Sequence, residues 1–222
     1  MSDGIATQLR RLDACAVSDA LDQLGLPASV TGLLPLSVRR RVSGRVTTVR
    51  LEAGKSPVSA EPRHLCTAAI DSCASCDVIV VEQRTGVECA GWGGILSSAA
   101  RHRGIKGVIV EGLVRDIDEA VEIGFPVYGR GATARTARGR IHEADTGGPI
   151  TVGHVPVNSG DYVVADSSGV AFLPALHIEQ ILLTAERIAS KEGMMIKAVL
   201  SGQRVSEVMG TSYEHLLDGE KS

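Results

Sequence analysis

The middle of the chain alternates short apolar runs with helix-type segments, and this alternation most constrains the fold. Apolar runs typical of buried strands occur in CDVIVVEQ, KGVIVEGLV and PVYGRG. Between them lie two segments of helical character, GGILSSAARHRG and RDIDEAVEIGF. Strand–helix–strand spacing of this kind favours a parallel or mixed sheet covered by helices. The sequence therefore predicts an α/β protein with a mixed central sheet.

The segments on either side of this core have different patterns. The first twenty-odd residues predict two short helices, the second capped by Ser18 or Asp19. Near-alternate β-branched residues predict a half-buried strand around Val46–Leu51. After Arg140, Asn-Ser-Gly-Asp and Ser-Ser-Gly turns between short apolar runs predict hairpins. From Leu176 to about Gly202, one apolar face predicts a long C-terminal helix.

Charge and aromatic content argue against nucleic acid as the main ligand. The chain has 222 residues, with 23 basic and 26 acidic side chains, and 3% aromatic residues. A protein of this kind lacks both the basic excess and the stacking platforms that nucleic-acid binding favours. The short basic run Arg39–Arg41 is therefore interpreted as a solvated strand edge. With no leader-type segment or long apolar run, we expect a soluble, cytoplasmic protein.

Cysteines, histidines and lysines carry little signal. Cys73 and Cys76 form a single C-x-x-C without a second pair or a nearby histidine pair, which favours small structural residues over a zinc or redox site. His102, His142 and His154 show no metal-type spacing. All the lysines lie in polar turns, charged helix faces or the tail, so no desolvated Schiff-base lysine is predicted.

A glycine-dense turn, Gly91-Trp92-Gly93-Gly94, stands directly before a predicted helix. Glycines let backbone N–H groups approach a ligand closely, and a helix start favours an anion such as a carboxylate or phosphate. The alternative is a tight strand-to-helix turn whose glycines supply a positive φ. Sequence alone leaves both interpretations open.

Arg115 and Asp116 follow a predicted strand, at the kind of position where ligands collect in α/β sheets. Arginine can bind a carboxylate through two hydrogen bonds, and aspartate is an oxygen ligand suited to Mg²⁺ or Mn²⁺. The alternative is a capping box, in which Asp116 and Glu119 satisfy the start of the next helix. Taken alone, this pair favours the capping box.

The spacing of the two motifs resembles the signature of the RraA-like family, which includes 4-hydroxy-4-methyl-2-oxoglutarate aldolases. Gly94, twenty further residues and then Arg115-Asp116 carry the resemblance, and VSDALDQLG and PVNSGDYVVADSSGVAFLP resemble other family segments in order. The resemblance implies a single domain over residues 1–222 with a swivelling β/β/α fold of the phosphohistidine-domain type. It also implies a homotrimer or a dimer of trimers, with active sites between subunits.

The resemblance also implies a site. A divalent metal, Mg²⁺ or Mn²⁺, would be held by Asp116 and waters, with Arg115 contacting substrate. The backbone of Gly93, Gly94, Ile95 and Leu96 would bind the substrate carboxylate. Glu192, on the last helix, matches a carboxylate that reaches a neighbouring subunit's site in family members. At the position of Gly94, family aldolases often have an acidic residue, which this chain lacks.

The expected activity is metal-dependent retro-aldol cleavage of 4-hydroxy-2-oxo acids to pyruvate. Oxaloacetate decarboxylation passes through the same enolate, whose charge a metal stabilises as a Lewis acid. The alternative is a non-catalytic regulator that binds and inhibits a ribonuclease, because the family also includes such proteins. Both alternatives predict the same fold, and they differ in whether Arg115 and Asp116 serve a metal.

Overall fold

The computed structural model describes residues 2–27, 29–56 and 64–210. Its helices are α1 Ser2–Leu9, α2 Ala14–Gln23, α3 Thr67–Ser72, α4 Gly94–His102, α5 Ile117–Glu122, α6 Ile178–Leu200 and α7 Val205–Val208, with a short 3₁₀ turn at Ala175–His177. Its strands are β1 Ser29–Val30, β2 Leu34–Pro35, β3 Val42–Ala53, β4 Val78–Glu82, β5 Ala90–Trp92, β6 Gly107–Val114, β7 Val127–Ala132, β8 Ile141–Thr146, β9 Ile150–Val152, β10 Val155–Val157, β11 Tyr162–Ala165 and β12 Val170–Leu173.

A mixed sheet of ten strands forms the centre of the fold. Its main order is β1-β12-β11-β3-β4-β6-β7-β2, with β5 paired to β6 and β8 paired to β3. Strands β3, β4, β6 and β7 are parallel, whereas β8 and β11 run antiparallel to β3. The four parallel strands therefore begin at one edge of the layer and end at the other. This arrangement confirms the predicted mixed sheet and its long C-terminal helix.

Alternating side chains of the parallel strands fill two separate cores. Val49, Val81 and Val110 belong to a cluster that α3, α4 and α5 cover. Their neighbours Val80 and Ile109 point to the other face and pack with residues of β9 to β12. Because both faces are buried, the strands are continuously apolar rather than alternating. The apolar runs that predicted β4 and β6 have this origin.

The amino-terminal and carboxyl-terminal helices pack together as a third cluster. Val17 and Leu21 of α2 lie in the same cluster as Ile181, Leu182 and Ala185 of α6. The face predicted for α6 is thus confirmed. The predicted cap of α2 is wrong: Asp13 is the N-cap, and its carboxylate accepts a hydrogen bond from the Ala16 N–H at 2.8 Å.

Between residues 140 and 210 the structure has two hairpins, but only one uses a predicted turn. The Ser-Ser-Gly turn joins β11 to β12, which are antiparallel neighbours. The Asn-Ser-Gly-Asp turn instead connects β10 to β11, which belong to different sheets. The second hairpin, β9–β10, turns at Gly153, where φ is +60°. The positive φ required at that turn explains the glycine.

The cysteines have the structural placement predicted for them. Cys73 ends α3 and Cys76 lies in the turn before β4, and all five cysteines of the chain are free thiols. Within the described ranges, no group of three or more His, Cys, Asp or Glu side chains could hold a metal ion. None of the helices described is long and apolar enough to cross a membrane.

Candidate functional site

A cavity of about 550 Å³ opens where β5 and β6 end. One wall is the backbone of residues 90–96, together with Arg115 and Asp116. The remaining lining residues include Lys55, His64, Arg138 and His142, and we call this second set the far wall. The two sequence motifs, separated by twenty residues, therefore lie on the same wall. The parallel pairing of β5 with β6 brings them together, because Trp92 is aligned with Val114.

The Asp116 carboxylate is turned away from its own helix. Although Asp116 occupies the N-cap position of α5, its side chain makes no capping hydrogen bond. Its Oδ2 atom instead accepts hydrogen bonds from the Gly94 N–H at 2.9 Å and from Arg115 Nε at 3.1 Å. Glu119 is exposed. The capping-box interpretation is therefore wrong.

The backbone conformation of Asp116 also indicates a functional position. Asp116 has φ +56° and ψ +45°, a left-handed conformation that non-glycine residues adopt rarely and that aspartate tolerates better than most. The left-handed residue lies between β6 and α5, at the strand end that faces the cavity. Residues in such conformations cluster at functional sites, where surrounding contacts hold them in place.

The glycines of the turn are explained by close approach, not by positive φ. Gly93 has an extended backbone with φ −155°, and Gly91 and Gly94 also lack a positive φ. A Cβ on Gly93 would lie 2.8 Å from Asp116 Oδ2, and one on Gly94 would lie 3.1 Å from Asp116 Cβ. The positive-φ interpretation is wrong. Small residues here let the carboxylate rest against the start of α4.

The amino terminus of α4 forms part of the cavity wall and offers backbone N–H donors to a ligand. The first N–H groups of a helix lack intrahelical acceptors. Gly94 N–H is bound by Asp116, and the described residues offer no acceptor outside the helix to the N–H groups of Ile95 and Leu96. Trp92 Nε1 donates to Ser97 Oγ at 2.9 Å and fixes the turn from inside. This arrangement is suited to a carboxylate or phosphate group.

The far wall was not predicted from the sequence. Lys55 follows β3, and His142 lies on β8, which pairs with β3 so that Glu52 is opposite His142. His64 and Arg138 come from loops. Among the described lining residues, Asp116 is the one carboxylate, while Lys55, Arg115 and Arg138 are cationic. The cavity therefore favours an anionic guest.

Next to the glycine turn at Gly91, the buried Cys66 and the half-buried Glu143 form a support. Cys66 is left-handed with φ +63°, and its N–H donates to Glu143 Oε2 at 2.5 Å. Burial, and secondarily the charge of Glu143, raises the pKa of the Cys66 thiol well above its ordinary value. The thiol is therefore protonated and unreactive, which suits a structural role.

Glu192 does not line the cavity of its own chain. It lies on α6 and is exposed. His102 and His154 are also exposed and distant from the residues that form the two walls. Of the predicted site residues, the structure thus groups Gly93, Gly94, Ile95, Leu96, Arg115 and Asp116. The role of Glu192 stays a prediction.

The donors present suit one kind of metal. Asp116 contributes a single hard carboxylate, 31% exposed, whose Oδ2 is already hydrogen-bonded. No cage of protein ligands surrounds it among residues 2–27, 29–56 and 64–210. Mg²⁺ keeps several waters and is commonly bound through one or two carboxylates. A hydrated magnesium-type cation therefore fits this wall, whereas a four-ligand structural zinc does not.

The molecule is an α/β protein with a cavity of mainly cationic side chains at the ends of its strands, and comparison with known proteins gives its family. A family model described as "RraA-like: Aldolase/RraA" matches residues 14–172. The chain belongs to the RraA-like family. The fold and the family predicted from the sequence are both confirmed.

Relatives by sequence carry aldolase names. A protein of Halalkalibacterium halodurans named "Putative 4-hydroxy-4-methyl-2-oxoglutarate aldolase" is 30% identical over 208 residues, covering 87% of this chain and 92% of its own length. Protein DlpA of Legionella pneumophila is 26% identical over 90% of this chain. The chain spans about a third (32%) of DlpA's length.

Solved structures share the fold. An uncharacterized protein from Pseudomonas syringae has a TM-score of 0.83 at 27% identity, covering 95% of this chain and 98% of its own. RraAS2 of Streptomyces coelicolor, whose structure is described as an unusual member of the RNase ES inhibitor RraA family, has a TM-score of 0.76. It is 22% identical, covers 86% of this chain and 94% of its own, and shows the fold alone.

Proposed function

We propose that this protein is a metal-dependent lyase that releases pyruvate from short 4-hydroxy-2-oxo acids, with oxaloacetate decarboxylation as a second reaction of the same site. The observation that carries the proposal is the Asp116 carboxylate, which faces the cavity beside the open start of α4 rather than capping α5. The aldolase names of relatives at about 30% identity support the reaction class.

Substrate binding is assigned to groups with opposite charge to a 2-oxo diacid. The N–H groups of Ile95 and Leu96 and the Arg115 guanidinium would bind the carboxylate next to the 2-oxo group. Arg138 and Lys55, on the far wall, are placed to attract the second carboxylate. A substrate with two carboxylates would span the cavity between these walls.

Asp116 and its waters would hold a Mg²⁺ or Mn²⁺ ion. When bound, this cation supplies a Lewis acid for the negative charge that develops on the 2-oxo oxygen as the bond between C3 and C4 breaks. Arg115 positions Asp116 through the 3.1 Å contact from Nε, leaving its other guanidinium N–H groups for substrate. The exposed Lys55 lacks the desolvation that a Schiff-base mechanism needs.

Glu192 enters the proposal only through a second copy of the chain. It is exposed on α6 and does not line the cavity of its own chain. A homotrimer, or a dimer of trimers, that seats α6 of one copy near the cavity of the next would supply it. We expect Glu192→Gln to lower turnover without changing the mass of the assembly, as measured by light scattering.

The test is pyruvate release from 4-hydroxy-4-methyl-2-oxoglutarate and from oxaloacetate, with Mg²⁺ and with EDTA. Asp116→Asn should lower kcat/KM by about 10²-fold or more, as expected when the cation that would stabilise the developing charge is no longer held. Asp118→Asn is the matched control, because it removes the same charge from an exposed position two residues away. Turnover that is unchanged both by EDTA and by Asp116→Asn would refute the mechanism. No turnover on either substrate would favour the non-catalytic regulator.

A further inference from the structure

A second cavity, of about 340 Å³, lies at the opposite edge of the sheet. It is bordered by Val42, the first residue of β3, by Pro126 directly before β7, and by the residues that lead into β6. Its floor is apolar, since Val42, Ile105 and Phe125 are buried. Strand β6 has eight residues, so the residues that lead into it lie roughly 26 Å from Arg115, at the other end of the strand. The two cavities are therefore distinct.

The side chains around this floor are strongly cationic. Arg10, Arg40, Arg41, Arg101 and Lys106 all line it, all are exposed, and no acidic side chain is among the described lining residues. We call this set the cationic cavity. Its members come from three distant parts of the chain, and the basic run at residues 39–41, interpreted from the sequence as a solvated strand edge, supplies only two of them. Arg40 and Arg41 come close to Arg10, Arg101 and Lys106 only in the folded chain.

Most of these cations lack a carboxylate partner. Within the described part of the chain, only Arg41 has one, Asp166, at the long distance of 4.0 Å. Some arginines elsewhere are paired closely, as with Arg130 and Glu111 at 2.9 Å. The nearby Asp77 carboxylate is engaged by the Ala74 N–H at 2.9 Å. Like charges gathered without partners repel one another, and a bound anion would relieve that repulsion.

Contacts within the fold use only some of the N–H donors of these arginines. Arg101 lies in the last turn of α4, where a cation interacts favourably with the helix dipole. Its Nη1 also donates to the Gly124 carbonyl at 3.3 Å. Arg10 Nη2 donates to Thr7 Oγ1 at 2.9 Å. Each guanidinium has five N–H donors, so these contacts hold the arginines in place and leave donors facing the cavity.

We propose that the cationic cavity binds a compact polyanion with two or more phosphate or carboxylate groups. Forked guanidinium donors match either group. The volume lies near the lower end of the range for small-molecule sites, which suits a diphosphate or a tricarboxylate. A nucleic-acid backbone fits less well, because the chain carries a net charge of −3 and 3% aromatic residues.

The test is calorimetric titration of the full chain with inorganic pyrophosphate and with citrate, in metal-free buffer at low and moderate salt. We expect saturable, salt-weakened binding of at least one, and a Kd raised about tenfold or more in Arg40→Ala/Lys106→Ala, since charge-assisted hydrogen bonds are lost. Arg84→Ala removes an exposed arginine that lines neither cavity and should bind as the unmodified chain does. Thermal unfolding verifies that each variant folds.

Other outcomes would overturn the proposal. The proposal fails if neither anion binds, or if Arg40→Ala/Lys106→Ala leaves the binding unchanged. Binding abolished by Arg115→Ala would place the anion in the other cavity. Tighter binding of an RNA oligonucleotide or of anionic lipid vesicles than of pyrophosphate, lost in the double variant, would reassign the surface to a macromolecule. Because no substrate turnover is measured, failure here leaves the proposed lyase function unaffected.

Discussion

The two ends of β6 differ in how they present charge. At its carboxyl end, free N–H groups of α4 and one carboxylate, Asp116, face the cavity. At its amino end, the cationic cavity gathers long, flexible side chains over an apolar floor. Helix α4 runs between them, with its amino terminus at the first and Arg101 at the second. The backbone polarity of one helix thus matches the charge at both ends.

The two ends of β6 also differ in how rigidly their polar groups are held. The carboxyl end is built from short contacts, such as the 2.9 Å bond between Gly94 N–H and Asp116 Oδ2, and small changes there should alter chemistry. The amino end relies on exposed guanidinium and ammonium groups that can adjust to a ligand. Changes there should alter affinity with little effect on turnover. The following predictions test that separation.

The largest expected effect comes from Trp92, which connects the two ends. Trp92 is among the residues that line the first cavity, and its ring stacks on that of Phe125, a residue of the cationic cavity's lining, with centroids 6.4 Å apart. Because Trp92 is 2% exposed, Trp92→Ala should lower the free energy of unfolding by about 3–5 kcal/mol, measured in urea. Trp92→Phe, which keeps an aromatic ring but loses the bond to Ser97 and part of the buried volume, should cost less, about 1–3 kcal/mol. Equal losses in both variants would contradict the packing role.

Gly93→Ala should separate the two ends. The added methyl group would lie 2.8 Å from Asp116 Oδ2 and displace the carboxylate, and a displacement of about 1 Å can lower turnover about 100-fold. Pyrophosphate affinity at the cationic cavity should not change. Gly4→Ala, in α1, meets no atom within 4 Å and serves as the control. Full pyruvate release by Gly93→Ala would show that the close approach is unimportant.

Tyr128→Phe is the converse experiment. The buried Tyr128 hydroxyl lies 2.8 Å from the Arg40 carbonyl and 3.2 Å from the Ala165 carbonyl, so it fixes the backbone of a cationic-cavity residue. Its loss should cost about 0.5–1.5 kcal/mol of unfolding free energy. We expect a few-fold weaker pyrophosphate binding with unchanged kcat/KM. A larger effect on turnover than on pyrophosphate binding would break the proposed separation.

Continuous patterns in the sequence predicted the centre of the fold well. Strands β4 and β6 are buried on both faces and so form apolar runs, and α6 buries one clear face. Strand β8, IHEADT, was missed because only Ile141 along it is buried and its other residues are polar. The cap of α2 was misplaced because Asp13 is followed by the apolar run Ala14-Cys15-Ala16-Val17, whereas Ser18 and Asp19 are two adjacent cap-type residues.

The candidate site was predicted only on one wall. Arg115 and Asp116 follow an apolar strand and stand at a recognisable spacing from Gly94, so a sequence signal exists. His142 and Lys55 reach the other wall through the antiparallel pairing of β3 with β8, whose long-range register no local pattern encodes. The cationic cavity could not be predicted from the sequence for the same reason, since Arg10 and Arg101 come together only after the sheet has formed.

The reactivity of individual cysteines with iodoacetamide should distinguish the two ends of β6. Cys76 is exposed and borders the cationic cavity, whereas Cys66 is fully buried behind the first cavity. At pH 8, iodoacetamide should modify Cys76 and the exposed Cys15 but not Cys66, as peptide mass spectrometry would show. Pyrophosphate should slow modification of Cys76 alone, so that Cys15 is the internal control. Equal protection of both cysteines would indicate a general effect of the anion.

The smallest effect is the alkaline dependence of stability. Burial raises the pKa of Cys66, with a further contribution from Glu143, and burial also raises the pKa values of Cys73 and Cys89. Above about pH 8.5, unfolded thiols lose protons while these folded thiols keep theirs. The folded state then binds more protons, so unfolding free energy falls as pH rises.

That contribution is fully present below the ordinary thiol range and is lost as pH rises toward the folded pKa values. Cys66→Ala should make the decline between pH 8.5 and 10 shallower without removing it, because Cys73 and Cys89 still contribute. Cys15→Ala should leave the slope unchanged, since Cys15 is exposed. If Cys15→Ala and Cys66→Ala flatten the curve equally, burial does not control the titration. The wall behind Asp116 would then be open to solvent, and the rigid carboxyl end of β6 would lose its contrast with the adjustable amino end.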